Sequence, residues 1–294
     1  MIAILIIITL LSQSGHASGK NFDCIPLPLE TPPFEYTLND TALGYFSLEL
    51  ISCEENSVTD YENWFVYIMG WPAVTYHNGG INDEIRGYRP PAGVDPVLRT
   101  PGNGKFHLYQ IIYGEESVIA FYGSPPNRFD VILYPRILCI LDFYTFETEL
   151  VLDFITYSNS PGNLPQERDF VFQQLKWAEV EDGILYVSTA HRTYAESSGG
   201  FNAYITAIDL KTLEILWRSR PLVSNSENFI IAGDMIITGY GFTAEEDFIY
   251  LLNRLTGEVI RTYDVPSAPE YLYKEEDILY VRCYNSNCVF EIRR

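Results

Sequence analysis

An all-β protein assembled from repeated four-stranded units is the fold class the sequence predicts, and three observations predict it. A polar turn frame recurs in "ILDFYTFETEL" (140–150), "AIDLKTLEILW" (207–217) and "LLNRLTGEVIR" (251–261). An acidic turn followed by an apolar strand also recurs, as "YGEESVIAFYG" from Tyr113, "EVEDGILYVST" from Glu179, "IAGDMIITGY" from Ile231 and "YKEEDILYVR" from Tyr273. Around both, β-branched and aromatic residues alternate with polar ones, the period of a half-buried strand.

The frame places Asp142, Asp209 or Asn253 first, then Thr145, Thr212 or Thr256, then Glu147, Glu214 or Glu258. A short Asx side chain folds back onto the backbone N–H groups ahead of it, the threonine hydroxyl assists, and Gly257 offers a positive φ in one copy. The frame is therefore read as a tight turn, and its polar residues as structural. The pairs Glu115–Glu116, Glu181–Asp182 and Glu275–Glu276 resemble the two carboxylates of a glycoside hydrolase. They recur at one turn position, however, which favours a structural role for them as well.

Joined together, the elements give strand, acidic turn, strand, variable loop, strand, Asx turn, strand. A four-stranded unit of roughly 40 to 50 residues is the signature of a β-propeller blade. The units give about five blades, with six as the alternative. One lies near 105–158, two lie in 164–266, one closes the ring, and at least one occupies 40–104, where "YFSLELIS" and "NWFVYIM" read as strands. The last unit stops at "CVFEIRR" without an outer strand, so an N-terminal strand near "FEYTL" (34–38) is expected to close the ring.

The pattern "EDGILYV…AYITAIDLKTLEILW" resembles the repeat of the pyrroloquinoline-quinone-like (PQQ-like) propellers, D-G-x-V-Y followed by A-x-D-x-x-T-G-x-x-x-W. The 179–218 unit comes nearest the full form; the next keeps Thr256-Gly257-Glu258 but has Arg261 in place of the docking tryptophan, and the preceding one has Leu150 there. The quinone enzymes of that family carry adjacent cysteines and a calcium site, neither of which the sequence displays. The resemblance thus implies a non-catalytic member without cofactor, using its ring as a docking surface as the outer-membrane assembly propellers do.

The opening "MIAILIIITLL", followed by Gly15 and Ala17 at small-residue cleavage positions, reads as a signal peptide over 1–17. Residues 18–294 then form a single propeller domain. The apolar run is too short to span a bilayer, so a secreted or periplasmic protein is expected, with no stable membrane insertion after cleavage. A formal net charge of −20 disfavours nucleic acid as a partner. Of five cysteines, Cys283 and Cys288 flank a short hairpin loop and are expected to pair, Cys24 and Cys53 form the second expected pair, and Cys139 reads as a buried thiol. The four histidines are too scattered for a metal motif.

In a four-stranded blade the loops after the second and fourth strands emerge on one face, opposite the two tight turns. Here those loops are long and irregular, and long loops on a rigid scaffold carry function. They hold Arg128, Phe129, His191, Arg192, Tyr194, Tyr240 and Phe242, residue types suited to binding a protein or glycan partner. The basic segment 77–105 is expected to join them. The leading expectation is a non-enzymatic interaction scaffold. The alternative, drawn from an aromatic share of 15%, is a glycan-binding or glycoside-hydrolase propeller.

Overall fold

A computed structural model of the chain describes residues 25–26, 45–56, 107–114, 117–124, 134–145, 147–154 and 171–294. The apolar opening segment 1–17, Cys24, "FEYTL", "NWFVYIM", the basic segment 77–105, Arg128 and Phe129 lie outside the described residues.

The described residues form four antiparallel blades. The first contains β3 (His107–Tyr113), β4 (Ser117–Ser124), β5 (Tyr134–Asp142) and β6 (Thr148–Asp153). A two-residue strand, β1 (Ile25–Pro26), adds to β6 in parallel, with Ile25 opposite Leu152. The second contains β7 (Gln174–Glu181), β8 (Ile184–Ala190), β9 (Tyr204–Asp209) and β10 (Ile215–Arg218). The third contains β11 (Ile230–Ala232), β12 (Met235–Tyr240), β13 (Phe248–Asn253) and β14 (Val259–Asp264). The fourth is β15 (Pro269–Glu275), β16 (Ile278–Cys283), β17 (Ser286–Arg293) and, from the N-terminal part of the chain, β2 (Ser47–Glu55). The molecule is thus an all-β propeller of four-stranded blades.

An N-terminal strand does close the last blade, but it is Ser47–Glu55 and not the segment at 34–38. β2 runs along β17 from Ser286 opposite Glu55 to Arg293 opposite Ser47. Its entry is anchored by Phe46 and Leu48, both buried in the core shared with the third blade, and Leu48 N–H donates to Tyr263 Oη at 2.9 Å. "YFSLELIS" therefore belongs to the closing blade rather than to a blade of its own. Of the strands expected for a further blade at 40–104, only "NWFVYIM" is left, outside the described residues.

The closing strand also decides the cysteines. Cys53 stands directly opposite Cys288, with Cα atoms 4.0 Å apart, and is bonded to it. This corrects both expected pairs, Cys283–Cys288 and Cys24–Cys53. The β16–β17 hairpin is tighter than the spacing suggested: Val281 faces Cys288 and Arg282 faces Asn287, which leaves Cys283 outside reach of Cys288. Cys283 and Cys139 are buried free thiols, and burial pushes Cys283 up to about 12.

The Asx frames fold as their chemistry dictates. Asp142 Oδ1 accepts from the Tyr144 and Thr145 amides, Asp209 Oδ1 from those of Lys211 and Thr212, and Asn253 Oδ1 from those of Leu255 and Thr256. In each copy the threonine Oγ1 accepts from the following glutamate N–H at 3.3 Å. Gly257 has φ +72°, and a Cβ there would lie 2.3 Å from Trp217 Cε3. Trp217 of the second blade is seated on that glycine of the third, and its Nε1 donates to Arg254 O at 3.1 Å. Arg254 in turn pairs with Asp182 at 2.9 Å, tying the acidic turn of one blade to the Asx turn of the next.

Between these turns and the other end, two continuous cores join the blades, one running from the first to the third and one from the third to the fourth. Glu179 of β7 accepts from Trp177 Nε1 at 2.8 Å. Burial raises its carboxyl to about 7, against the bonds from Trp177 and the Ile231 amide of the next blade.

Candidate functional site at the channel mouth

The inner strands β3, β7, β11 and β15 run along the propeller axis, and each meets the loop face at its start. Three of them carry the same irregularity. In β7 the pairing with β8 runs unbroken from Glu181 back to Trp177, skips Lys176, and resumes at Leu175. In β15 it runs from Glu275 back to Tyr271, skips Glu270, and resumes at Pro269. In β3 it runs from Tyr113 back to Gln110, skips Tyr109, and resumes at Leu108. The extra residue of a β-bulge is released from the ladder, so its side chain is re-aimed. In the third blade the same count back from the Gly233–Asp234 turn reaches Glu227, beyond which Asn225 N–H and Ser226 N–H both donate to Gly239 O.

These equivalent positions, Tyr109, Lys176, Glu227 and Glu270, converge. Lys176 Nζ is ion-paired with Glu227 Oε1, and Glu227 N–H donates to Glu270 O at 2.7 Å. Arg192, from the β8–β9 loop, donates to Tyr109 Oη at 2.7 Å, with the Glu227 carboxylate in electrostatic reach. Beneath them Arg282 of β16 is 2% exposed and donates to Asn287 Oδ1 at 3.1 Å. Burial raises the Glu270 carboxyl, Arg282 opposes the rise, Glu227 adds to it and Lys176 opposes it, with a net increase. A mixed-charge ring drawn from every described blade thus sits at the loop-face end of the axis.

The loops around the ring are ordered from within. His191 is buried. Its backbone N–H donates to Asn202 Oδ1 at 2.8 Å, its Nε2 lies 2.8 Å from Ser198 Oγ, and that hydroxyl donates to Ala195 O. Burial pushes the imidazole down to about 4, which keeps it neutral. Tyr240, also buried, donates its hydroxyl to Glu245, whose other oxygen accepts from Ala195 N–H at 2.7 Å. That carboxylate links the 3-10 turn Ala195–Ser198 of the second blade to the β12–β13 loop of the third. Tyr194 and Phe242 meet edge-to-face across the same junction, with ring centroids 5.0 Å apart.

Of the loop residues singled out in the sequence, the structure therefore brings five to one face in two roles. His191 and Tyr240 are interior groups that hold the loops, whereas Arg192, Tyr194 and Phe242 reach the surface. Exposed rings rim the mouth: Tyr194, Phe201, and Tyr284 at the tip of the β16–β17 hairpin, the last 70% exposed. Lys176, Glu227 and Glu270 escaped the sequence reading, because their position repeats while their residue type does not. Counting back from each acidic turn is the signal that finds them. Among the described residues no cluster of histidine, cysteine or carboxylate side chains is arranged to hold a metal.

No protein-family model and no curated protein matches the sequence. Solved structures similar to the chain include BamB from Moraxella catarrhalis, at 14% identity over 62% of this chain and 71% of that one, with a TM-score of 0.33. The β-propeller domain of Cps50 (Swd1) from Myceliophteria thermophila is similar at 11% identity over 69% and 57% of the two chains, with a TM-score of 0.38. Myxococcus xanthus glutaminyl cyclase is similar at 11% identity over 65% and 74%, with a TM-score of 0.36.

Proposed function

We propose that this is an exported binding module whose working surface is the loop face, with a protein partner seated over the channel mouth. One observation carries the reading: charged and hydroxyl side chains from all four described blades meet at a single end of the axis, three of them re-aimed by equivalent bulges and Glu227 placed at the matching position of the third blade, with exposed aromatic rings on the same face. Aromatic and arginine side chains at the centre of a rigid, partly desolvated surface are what binding hot spots are made of. Export is supported by the apolar opening segment and by a Cys53–Cys288 bond, which suits an oxidising compartment. Kinship with non-catalytic PQQ-like propellers is supported by the Asx–Thr frames and by the seat of Trp217 on Gly257.

The test is capture of partner from the native extracellular or periplasmic fraction by paired variants. Replacing Tyr194 and Phe201 by alanine is expected to abolish a captured band while leaving the melting temperature nearly unchanged, since both rings are exposed. Replacing Asp209 and Thr212 by alanine is expected to lower the melting temperature and keep the band. The reverse pattern would place the working surface on the turn face. A glycan array run on the same variants decides for the glycan reading if it returns hits that depend on Tyr194 and Phe201.

A further inference from the structure

We propose that the channel mouth is a carboxylate-binding site, in which an acidic group of the ligand takes the place on Lys176 that Glu227 now holds and reaches Arg192 beside it. The inference deepens the loop-face reading and rests on it. Glu227 is the one bulge-position residue that lies outside a strand, in the irregular 219–229 segment before β11. Its side chain is 31% exposed, against 9% for Lys176. The carboxylate is thus the exchangeable member of the pair and the ammonium the fixed one.

The energetics favour exchange over simple opening. A nearly buried ammonium stripped of its partner is left uncompensated, which is strongly unfavourable, whereas trading one carboxylate for another preserves the pairing. Arg192 stands beside the pair on the exposed side. Its guanidinium carries five donors in a planar fork that matches a carboxylate, and the Tyr109 hydroxyl occupies only part of it. Among the described residues around the mouth, Lys176, Arg192 and Arg282 face Glu227 and Glu270, so withdrawing Glu227 widens an existing surplus of cations. In a chain of net charge −20, a cationic surplus confined to the axis selects an anionic group by short-range contact, because longer-range repulsion is screened beyond about 10 Å at ordinary ionic strength.

Calorimetric titration with succinate, using succinamide as the uncharged analogue, tests this. The wild-type protein is expected to bind succinate and to ignore succinamide. Glu227→Gln removes the internal competitor and is expected to tighten succinate binding by about tenfold, whereas Lys176→Met is expected to abolish it. Near-ultraviolet circular dichroism checks that each variant is folded. Should Lys176→Met fail to fold, Arg192→Gln replaces it, since that side chain is on the exposed side; it must weaken binding. Equal or weaker binding by Glu227→Gln, equal binding of succinamide, or no heat from succinate with either wild type or Glu227→Gln would overturn the proposal. If partner capture still depends on Tyr194 and Phe201 after such a result, the face is right and its chemistry wrong. If capture does not depend on them, both readings fall.

Discussion

The two ends of this propeller are built by opposite rules. On the turn face the first three described blades repeat one local solution: an Asx carboxylate or amide tying down two amides and a threonine accepting from the next glutamate, joined in the second and third by a bond from the residue after the Asx group to the preceding acidic turn. The last is made by Leu210 to Gly183 and by Arg254 to Asp234. On the loop face the three described connections between second and third strands differ from one another. The β8–β9 loop folds around buried His191, the β12–β13 loop hangs on Glu245, and the β16–β17 connection is a tight hairpin tipped by Tyr284. Repetition marks the end that stabilises, and the divergent end is where recognition is proposed. Variants that respect or violate this division are the means of breaking it.

The largest effect is expected at the blade junction on the turn face. Trp217 is 2% exposed, bonded through Nε1 and seated against Gly257. Trp217→Ala should cost about 4 kcal/mol of unfolding free energy, as large-to-small core changes do, while the protein that remains folded keeps its ligand affinity. Chemical denaturation alongside a binding titration reads both. A loss of affinity larger than the loss of folded fraction would break the division.

Next comes the closing blade. Cys53→Ser should cost about 2–4 kcal/mol, the usual worth of a bridge across a long loop. Peptide mapping should recover a Cys53–Cys288 link, with Cys139 and Cys283 alkylated only after unfolding. A Cys283–Cys288 peptide would contradict the β17–β2 register.

A smaller effect is expected at the Asx turns. Backbone bonds from Thr212 and Lys211 hold the Asp209 carboxyl below its ordinary value. A group depressed on folding stabilises above its unfolded pKa and ceases to do so as pH falls through the folded one. Asp209→Asn, which keeps the acceptor oxygen, should therefore be stable at neutral pH and lose less stability than wild type on acidification. Melting temperature between pH 7 and pH 3 is the readout. Parallel curves would mean that the charge contributes nothing.

The smallest and most local effect belongs to the loop face. Burial holds His191 at about 4, well below the ordinary histidine value of about 6.5. The opened loop accepts a proton over that interval and the closed loop does not. Loop stability is therefore full above pH 6.5 and declines as pH drops toward 4. Amide exchange over 191–203, corrected for intrinsic rates, should accelerate between pH 7 and pH 5 while the core strands stay protected. Uniform behaviour across the chain would show that the loop has no stability of its own.

The same division explains what the sequence disclosed. The Asx turns were legible because their bonds close within a few residues: Asp142, Asp209 and Asn253 each find their donors two and three positions ahead. The strand pattern and blade architecture were legible through repetition. The closing strand was not, because the pairing of Ser47–Glu55 with β17 joins opposite ends of the chain and many alternating segments would satisfy it. The cysteine pairing followed that error, since Cys53 meets Cys288 only once the register of β2 is known. At the candidate site, Arg192, Tyr194 and Phe242 were found by residue type on long loops. His191 and Tyr240 were found by the same rule, but burial gives them an internal role. Lys176, Glu227 and Glu270 were hidden because their position repeats from blade to blade while their residue type does not.

Recognition at the loop face, as proposed, predicts a definite footprint. Hydrogen–deuterium exchange of the wild-type protein with and without its captured partner reads it without any variant. Protection on binding should appear at 191–203, at 241–247 and at the 284–285 hairpin tip, with the turns at 182–183, 210–214 and 254–257 unchanged. Protection confined to those turns, with the loops unaffected, would contradict it.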